Sequence, residues 1–199
     1  MSNAVVHLID DDEHVRRALA FLLGTAGFAV RVYESASAFL EKFDQGSNGC
    51  IVSDVRMPGI DGLQLLKKLK KLGSRMPVII MTGHADVALA VEAMKAGAVD
   101  FIEKPFPDEI FVNAIRMALA MGDRTQETGD AGQVKARLAT LSQREREVLD
   151  GLLAGHPNKT IAYDLGLSPR TVEVHRANVM TKMGASSLSE LVRMTLSAG

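Results

Sequence analysis

A single cysteine in 199 residues rules out a disulfide framework or a cysteine-rich metal scaffold. That residue, Cys50, sits in the apolar run Cys50-Ile51-Val52, where a buried strand residue is expected rather than a reactive thiol. This usage suits a reducing cytoplasm. No apolar stretch approaches the roughly 18 residues of a membrane span, and Met1 to Val6 lack the charged start of a signal peptide. The expectation is a cytoplasmic protein with no membrane partner. Internal repeats and low-complexity tracts are also missing. The first strand is followed not by a glycine-rich turn but by Asp10-Asp11-Asp12, which would repel a pyrophosphate, so a dinucleotide enzyme is excluded. Nor is there an excess of one charge: 23 basic residues face 24 acidic ones. Residues 1–123 carry 13 basic and 16 acidic groups, and residues 124–199 carry 10 and 8. The second part can therefore hold an anion-binding face, although its charge does not demand one.

The first 120 or so residues alternate short β-branched runs with helical patterns, which predicts a parallel sheet wrapped by helices. Strands are expected at residues 5–9, 29–33, 50–53, 78–81 and 99–102. Between them Val15, Ala18, Leu19, Leu22 and Leu23 follow a helical period that stops at Gly27, and Leu65, Leu66, Leu69 and Leu72 follow another that stops at Gly73. Further helices run to Ala96 and over residues 108–121. The fold class is α/β, a five-stranded parallel doubly wound domain over residues 1–122. Residues 123–137 read as a linker, within which a helical pattern begins at Val134 and runs to Leu141. Residues 138–199 form a second, smaller all-α domain. Ser142-Gln-Arg-Glu145 and Ser187-Leu-Ser-Glu190 both read as capping boxes, and Ser168-Pro169 as a helix start.

Ligands of parallel α/β sheets sit at the carboxyl ends of the strands, and here those ends are polar. Strand one ends in Asp10-Asp11-Asp12-Glu13, strand three in Ser53-Asp54, strand four in Met81-Thr82-Gly83 and strand five in Glu103-Lys104-Pro105. Clustered carboxylates repel one another unless a cation neutralises them. A few carboxylates completed by water and a backbone carbonyl suit Mg²⁺. Asp54 can then act as an oxygen nucleophile toward a phosphoryl donor, with Lys104 pairing with the phosphoryl oxygens. An aspartyl-phosphate phosphatase would need a second acid two residues after the nucleophile, where this chain has Arg56.

The segments Ile9-Asp10-Asp11, Ser53-Asp54-Val55-Arg56-Met57-Pro58-Gly59, Met81-Thr82-Gly83 and Lys104-Pro105 resemble the receiver domain of two-component response regulators. The resemblance covers residues 1 to about 122. It implies that Asp54 is the phosphoacceptor and that Asp10, Asp11, Asp54 and the Arg56 backbone carbonyl hold Mg²⁺. Of the three aspartates, the spacing to Val15 and Arg16 selects Asp10 and Asp11, with Asp12 a loop residue. Thr82, Phe101 and Lys104 would form the switch, Phe101 standing where a tyrosine is often found. The resemblance further implies a commonly cis bond before Pro105, and tuning of the phosphoryl lifetime by Arg56 and His84. It also implies slow self-dephosphorylation without enzyme status, a partner histidine kinase, and a phosphorylation-dependent homodimer through Val91, Lys95 and Asp100.

In the second domain Ile161, Ala162 and Leu165 mark a short helix, Gly166 turns the chain, and Ser168-Pro169 begins another helix. That is a helix-turn-helix. On its second helix Val172, Val179 and Met183 should face the core, while Arg170, Glu173, Val174, Arg176, Ala177 and Asn178 can read bases. Lys159 and Thr160 can touch phosphate, and Ser168 and Thr171 complete the candidate contact set at the helix start. The motifs Leu141-Ser-Gln-Arg-Glu-Arg-Glu-Val-Leu149, Asn158-Lys-Thr-Ile-Ala and Ser168-Pro-Arg-Thr-Val-Glu-Val-His175 resemble the LuxR-type domain. Nearly the whole chain is thus similar to the FixJ group of the NarL/LuxR class. The resemblance implies a transcription regulator that binds double-stranded promoter DNA and engages RNA polymerase. The competing reading is a receiver-switched protein-docking module without DNA binding.

Overall fold

The computed structural model describes residues 4–44, 46–83, 86–122 and 131–198. His84 and most of the expected linker, residues 123–130, lie outside them. The chain divides into two compact units, one of residues 1–84 and 96–127 and the other of residues 85–95 and 128–199.

In the first unit β1 (Val5–Ile9), β2 (Ala29–Tyr33), β3 (Gly49–Asp54), β4 (Val78–Thr82) and β5 (Asp100–Glu103) form one sheet in the order β2-β1-β3-β4-β5. Every pairing is parallel. The β-branched runs make strands because alternate side chains enter opposite apolar layers. Val6, Leu8, Cys50, Val52, Ile79 and Met81 point to one face. There they pack with Leu19 and Leu23 of α1 (Glu13–Thr25) and with Phe111 and Ile115 of α5 (Asp108–Gly122). On the other face His7 meets Phe39 of α2 (Ala36–Glu41) edge-on and hydrogen-bonds the Tyr33 hydroxyl at 3.1 Å. Burial, with the Arg31 charge adding to it, holds the His7 imidazole below its ordinary value. The amphipathic α3 (Gly62–Lys71) buries Leu63, Leu65, Leu66 and Leu69.

Register decides where the site falls. Ile9 stands opposite Ser53, Asp54 opposite Met81 and Thr82 opposite Glu103. The residues following or ending these strands, Asp10, Asp54, Thr82 and Lys104, therefore share one edge of the sheet. Cys50 is buried near the start of β3, where desolvation lifts its thiol to about 12, so it carries no chemistry.

The second unit holds α4 (Val87–Ala96) as far as Lys95, together with α6 (Ala131–Ala139), α7 (Gln143–Leu153), α8 (Asn158–Leu165), α9 (Pro169–Met183) and α10 (Leu188–Ala198). Val134, Val148, Leu149, Leu152, Ile161, Val172, Val179, Met183 and Leu191 form its core. Burying side chains of this size contributes roughly 1.5–3 kcal/mol each, which is how helices this short hold their shape. Val134 in that core means that the helical end of the expected linker packs as part of this unit.

Candidate functional site

Two carboxylates and one ammonium meet at the sheet edge. Lys104 Nζ donates to Asp10 Oδ2 at 2.6 Å and to Asp54 Oδ1 at 2.6 Å. Its backbone N–H donates to the Thr82 carbonyl at 2.6 Å, and the Lys104–Pro105 peptide bond is cis. Asp10 is 1% exposed and Asp54 7%, so both carboxylates are buried, while the Lys104 side chain keeps 22% of its surface in water. Burial lifts the Asp54 carboxyl above its ordinary value, partly offset by Lys104. Burial alone would depress Lys104, but its hydrogen bonds to the two carboxylates prevail and hold it above its ordinary value. The second oxygen of Asp54 accepts from the Arg56 amide at 2.6 Å. That bond brings the Arg56 backbone to the site.

The loop after β1 is tied down from several sides. Asp10 Oδ1 accepts from the Asp12 amide at 2.9 Å, and Arg16 Nη1 donates to the Asp10 carbonyl at 2.7 Å. Asp12 has more structure than a loop residue: it caps α1, its carboxylate accepting from His14 and Val15 amides that hold its pKa down. Among the described residues no group of three or more His, Cys, Asp or Glu is gathered as a metal cluster. The donor chemistry nevertheless fits Mg²⁺. Asp10 and Asp54 both aim an oxygen at one cationic point, and such an ion is held by one or two carboxylates with water completing its shell. Asp11 is exposed.

Of the other residues expected near this edge, Thr82 is buried at 1% and Phe101 is half-buried, its amide donating to Asp100 Oδ1 at 2.8 Å. The expected dimer residues are not equivalent. Val91 is 3% exposed, so its side chain is packed rather than displayed. Lys95 is exposed but donates to the Leu153 carbonyl at 2.8 Å, and Asp100 is half-buried.

The helix-turn-helix is formed by α8, Gly166 and α9. Gly166 adopts φ 65°, which suits glycine at a helix end. Ser168 caps α9, accepting from the Thr171 amide at 3.1 Å, with Pro169 in the first turn. Val172, Val179 and Met183 are the buried residues of α9, as its period requires. Arg170, Glu173, Val174, Ala177 and Asn178 are exposed, as are Lys159 and Thr160 on α8, whereas Arg176 and Thr171 are half-buried. Ser168 and Thr171 share a hydroxyl hydrogen bond of 2.8 Å and serve the cap. Arg170 pairs with Glu173 at 3.2 Å.

Lys182 is not a free phosphate ligand: its Nζ lies 2.7 Å from Glu145 Oε2. Glu145, in the first turn of α7, also closes a capping box with Ser142. These bonds, Lys182 foremost, hold the Glu145 carboxyl at about 2 against an ordinary 4.5. A depressed carboxyl contributes stability that is fully present above its unfolded value and lost as pH falls through the folded one. The stability gap between wild type and Glu145→Gln should therefore be widest above about pH 4.5 and close toward pH 2. Urea unfolding across that window checks this, and a constant gap would contradict it.

The sequence did not reveal the bond from Arg16 to the Asp10 carbonyl, the cap role of Asp12, the 87% exposed Tyr163 on α8, or Arg137, which donates to the Met183 carbonyl at 2.8 Å. Asp12 had a readable signal, an acid just ahead of a helical period. The two arginine contacts had none.

A strand-end Asp–Asp–Lys cluster on a five-stranded parallel sheet, joined to a helix-turn-helix, defines a class of phosphoryl-controlled regulators. Family comparison agrees: residues 6–116 match the response regulator receiver domain, and residues 139–195 match the bacterial regulatory proteins of the luxR family. The chain belongs to the response regulators that join a receiver to a LuxR-type DNA-binding domain, and it is a transcription regulator. Its relatives include the transcriptional regulatory protein FixJ of Azorhizobium caulinodans, 60% identical over 98% of this chain and 92% of that one. FixJ of Rhizobium meliloti is 54% identical over 100% and 98%. The crystal structure of full-length FixJ from B. japonicum, 52% identical, covers 100% of this chain and 98% of that one with a TM-score of 0.60. The family implies a sensor kinase partner and DNA binding, and it is a family of regulators rather than enzymes. Among the described residues no helix is long and apolar enough to cross a membrane.

Proposed function

We propose that Asp54 is the phosphoacceptor through which a histidine kinase controls DNA binding by this chain. The observation that carries it is the convergence of Asp54 and Asp10 on Lys104 Nζ, each at 2.6 Å. An Asp54 oxygen forms the new P–O bond while the P–N bond of the donor's phosphohistidine breaks and the imidazole leaves. Asp10, Asp11, Asp54 and the Arg56 carbonyl would hold Mg²⁺, which would supply charge neutralisation at the transferred group. Lys104 already lies against Asp54, so it is in place to pair with the phosphoryl oxygens. The aspartyl phosphate, carrying about −1.5 to −2 charges, recruits Thr82 and repacks the half-buried ring of Phe101. Slow hydrolysis of that bond then resets the switch.

The phosphorylated chain forms a homodimer in which Asp100 and the exposed positions of the fourth helix take part. Two copies engage a two-fold-related site on promoter DNA, the second engagement being intramolecular. Arg170, Glu173, Val174, Arg176, Ala177 and Asn178 face the bases, Lys159 and Thr160 the phosphates, and Ser168 and Thr171 the helix start. The bound dimer engages RNA polymerase in the cytoplasm. Intact mass after incubation with acetyl phosphate and Mg²⁺ tests the acceptor: wild type should gain one phosphoryl group and Asp54→Asn none. A phosphoryl group on the variant would contradict the assignment.

A further inference from the structure

The far end of the base-reading helix is anchored to the helix that precedes the DNA-binding fold. An α-helix leaves its last carbonyls without intrahelical partners. At the end of α9 the Gly184 amide takes the Thr181 carbonyl at 3.1 Å and the Ala185 amide takes the Met180 carbonyl at 3.0 Å. The Met183 carbonyl is taken by Arg137 Nη1 of α6, at 2.8 Å. A cation at that end is also favoured by the helix dipole.

Arg137 is well held. Val134, one turn earlier on α6, is 5% exposed in the core of the unit. The Arg137 carbonyl accepts from Thr140 Oγ1 at 2.7 Å and from the Thr140 amide at 3.0 Å. The Glu190 carboxyl, at the start of α10, is held below its ordinary value chiefly by hydrogen bonds from Ser186 and in smaller part by the charges of Arg193 and, last, Arg137. Lys182 adds a second link, reaching the Thr140 carbonyl at 3.4 Å as well as Glu145. The final turn of α9 is thus fastened to residues 137–145.

We propose that Arg137 is a positioning residue for DNA recognition: through the Met183 carbonyl it sets the tilt of α9, and with it the placement of the base-reading side chains. The proposal rests on the DNA-binding reading above. The lever is long. From Met183 back to Arg170 is 13 residues, about 20 Å of helix, so a tilt of about 5° at the anchor shifts Arg170 by almost 2 Å. A shift of that size breaks a base hydrogen bond. A movement of α6 would reach the reading helix by the same bond.

The test uses the full-length protein phosphorylated with acetyl phosphate, and a duplex selected by the wild type from random sequence. Arg137→Gln should bind it roughly tenfold more weakly, the worth of one charge-assisted hydrogen bond. Arg137→Lys keeps a cation but loses the planar fork, and should fall between the two. Because Arg137 touches no phosphate in this account, the slope of log affinity against log salt should stay at the wild-type value. A slope reduced by about 0.9 would make Arg137 a direct phosphate contact and overturn the proposal. Wild-type affinity in Arg137→Gln, measured well below its unfolding temperature, would overturn it too. Should Arg137→Gln not fold, Arg137→Lys decides: weaker binding at unchanged helicity supports the proposal, and unchanged binding overturns it. Failure of the wild type to bind any selected duplex would instead remove the reading on which the proposal rests.

Discussion

Gly62→Ala should destabilise the first unit by about 3 kcal/mol or more and slow acceptance of phosphate on Asp54. Gly62 opens α3 behind a capping box in which Asp61 accepts from the Gln64 amide at 2.7 Å. Its own amide donates to the Val55 carbonyl at 3.0 Å, which pins the helix start against the end of β3. A Cβ there would overlap the Asp54 carbonyl oxygen and lie 3.1 Å from both the Asp54 carbonyl carbon and Val55 Cα. All three atoms are backbone, so no rotamer change relieves the overlap. Replacing glycine by alanine in a helix gains at most about 1 kcal/mol, which the clash exceeds. The strand end carrying Asp54 must therefore move. Urea unfolding and the rate of labelling by acetyl phosphate read the two effects, and a wild-type midpoint would contradict the packing argument.

Lys104→Met should cost about 2 kcal/mol in the absence of divalent cations. Breaking a buried ion pair from one side costs about 3–5 kcal/mol because the remaining charge is stranded. The lower figure applies here because the Lys104 side chain is 22% exposed and water screens part of the loss. Asp10 and Asp54 would be left facing each other, since both now share that one ammonium. Mg²⁺ should consequently raise the unfolding temperature of Lys104→Met more than that of wild type, by mass action on the folded state. Equal stability in chelator, or an equal response to Mg²⁺, would show that Lys104 does not neutralise this pair.

Much of this site was legible because strand ends are legible. The β-branched runs end in Asp10, Asp54, Thr82 and Lys104, and parallel pairing must bring such ends to one edge. That reasoning placed Lys104 and Asp10, 94 positions apart, at the same edge, though not the direct bond between them. The helix-turn-helix was likewise carried by Gly166, Ser168-Pro169 and the period of Val172, Val179 and Met183. The short α2 was not assigned: its six residues are too few for a helical period, and its one local signal is Ser35 accepting from the Ala38 amide. The α4 sequence Val-Ala-Leu-Ala-Val-Glu-Ala-Met-Lys-Ala is apolar almost all round, so periodicity could not tell its inner face from its outer one, and Val91 was expected at a surface. The Lys182–Glu145 pair was not legible, because nothing local marks Glu145, 37 positions earlier, as the partner of Lys182. Arg137 escaped for the same reason, its bond to the Met183 carbonyl spanning 46 positions. Contacts of long reach between a flexible cation and a backbone carbonyl leave no pattern in the chain.

The central claim is that charge placed on Asp54 governs the affinity of the helix-turn-helix for DNA. Its most direct measurement is the dissociation constant for a selected duplex at fixed salt, with and without acetyl phosphate and Mg²⁺, for wild type and Asp54→Asn. Wild type should bind at least tenfold more tightly after phosphorylation, while the variant stays at its unphosphorylated value under both conditions. Equal gains in the two proteins, or no gain in a fully phosphorylated wild type, would contradict the account.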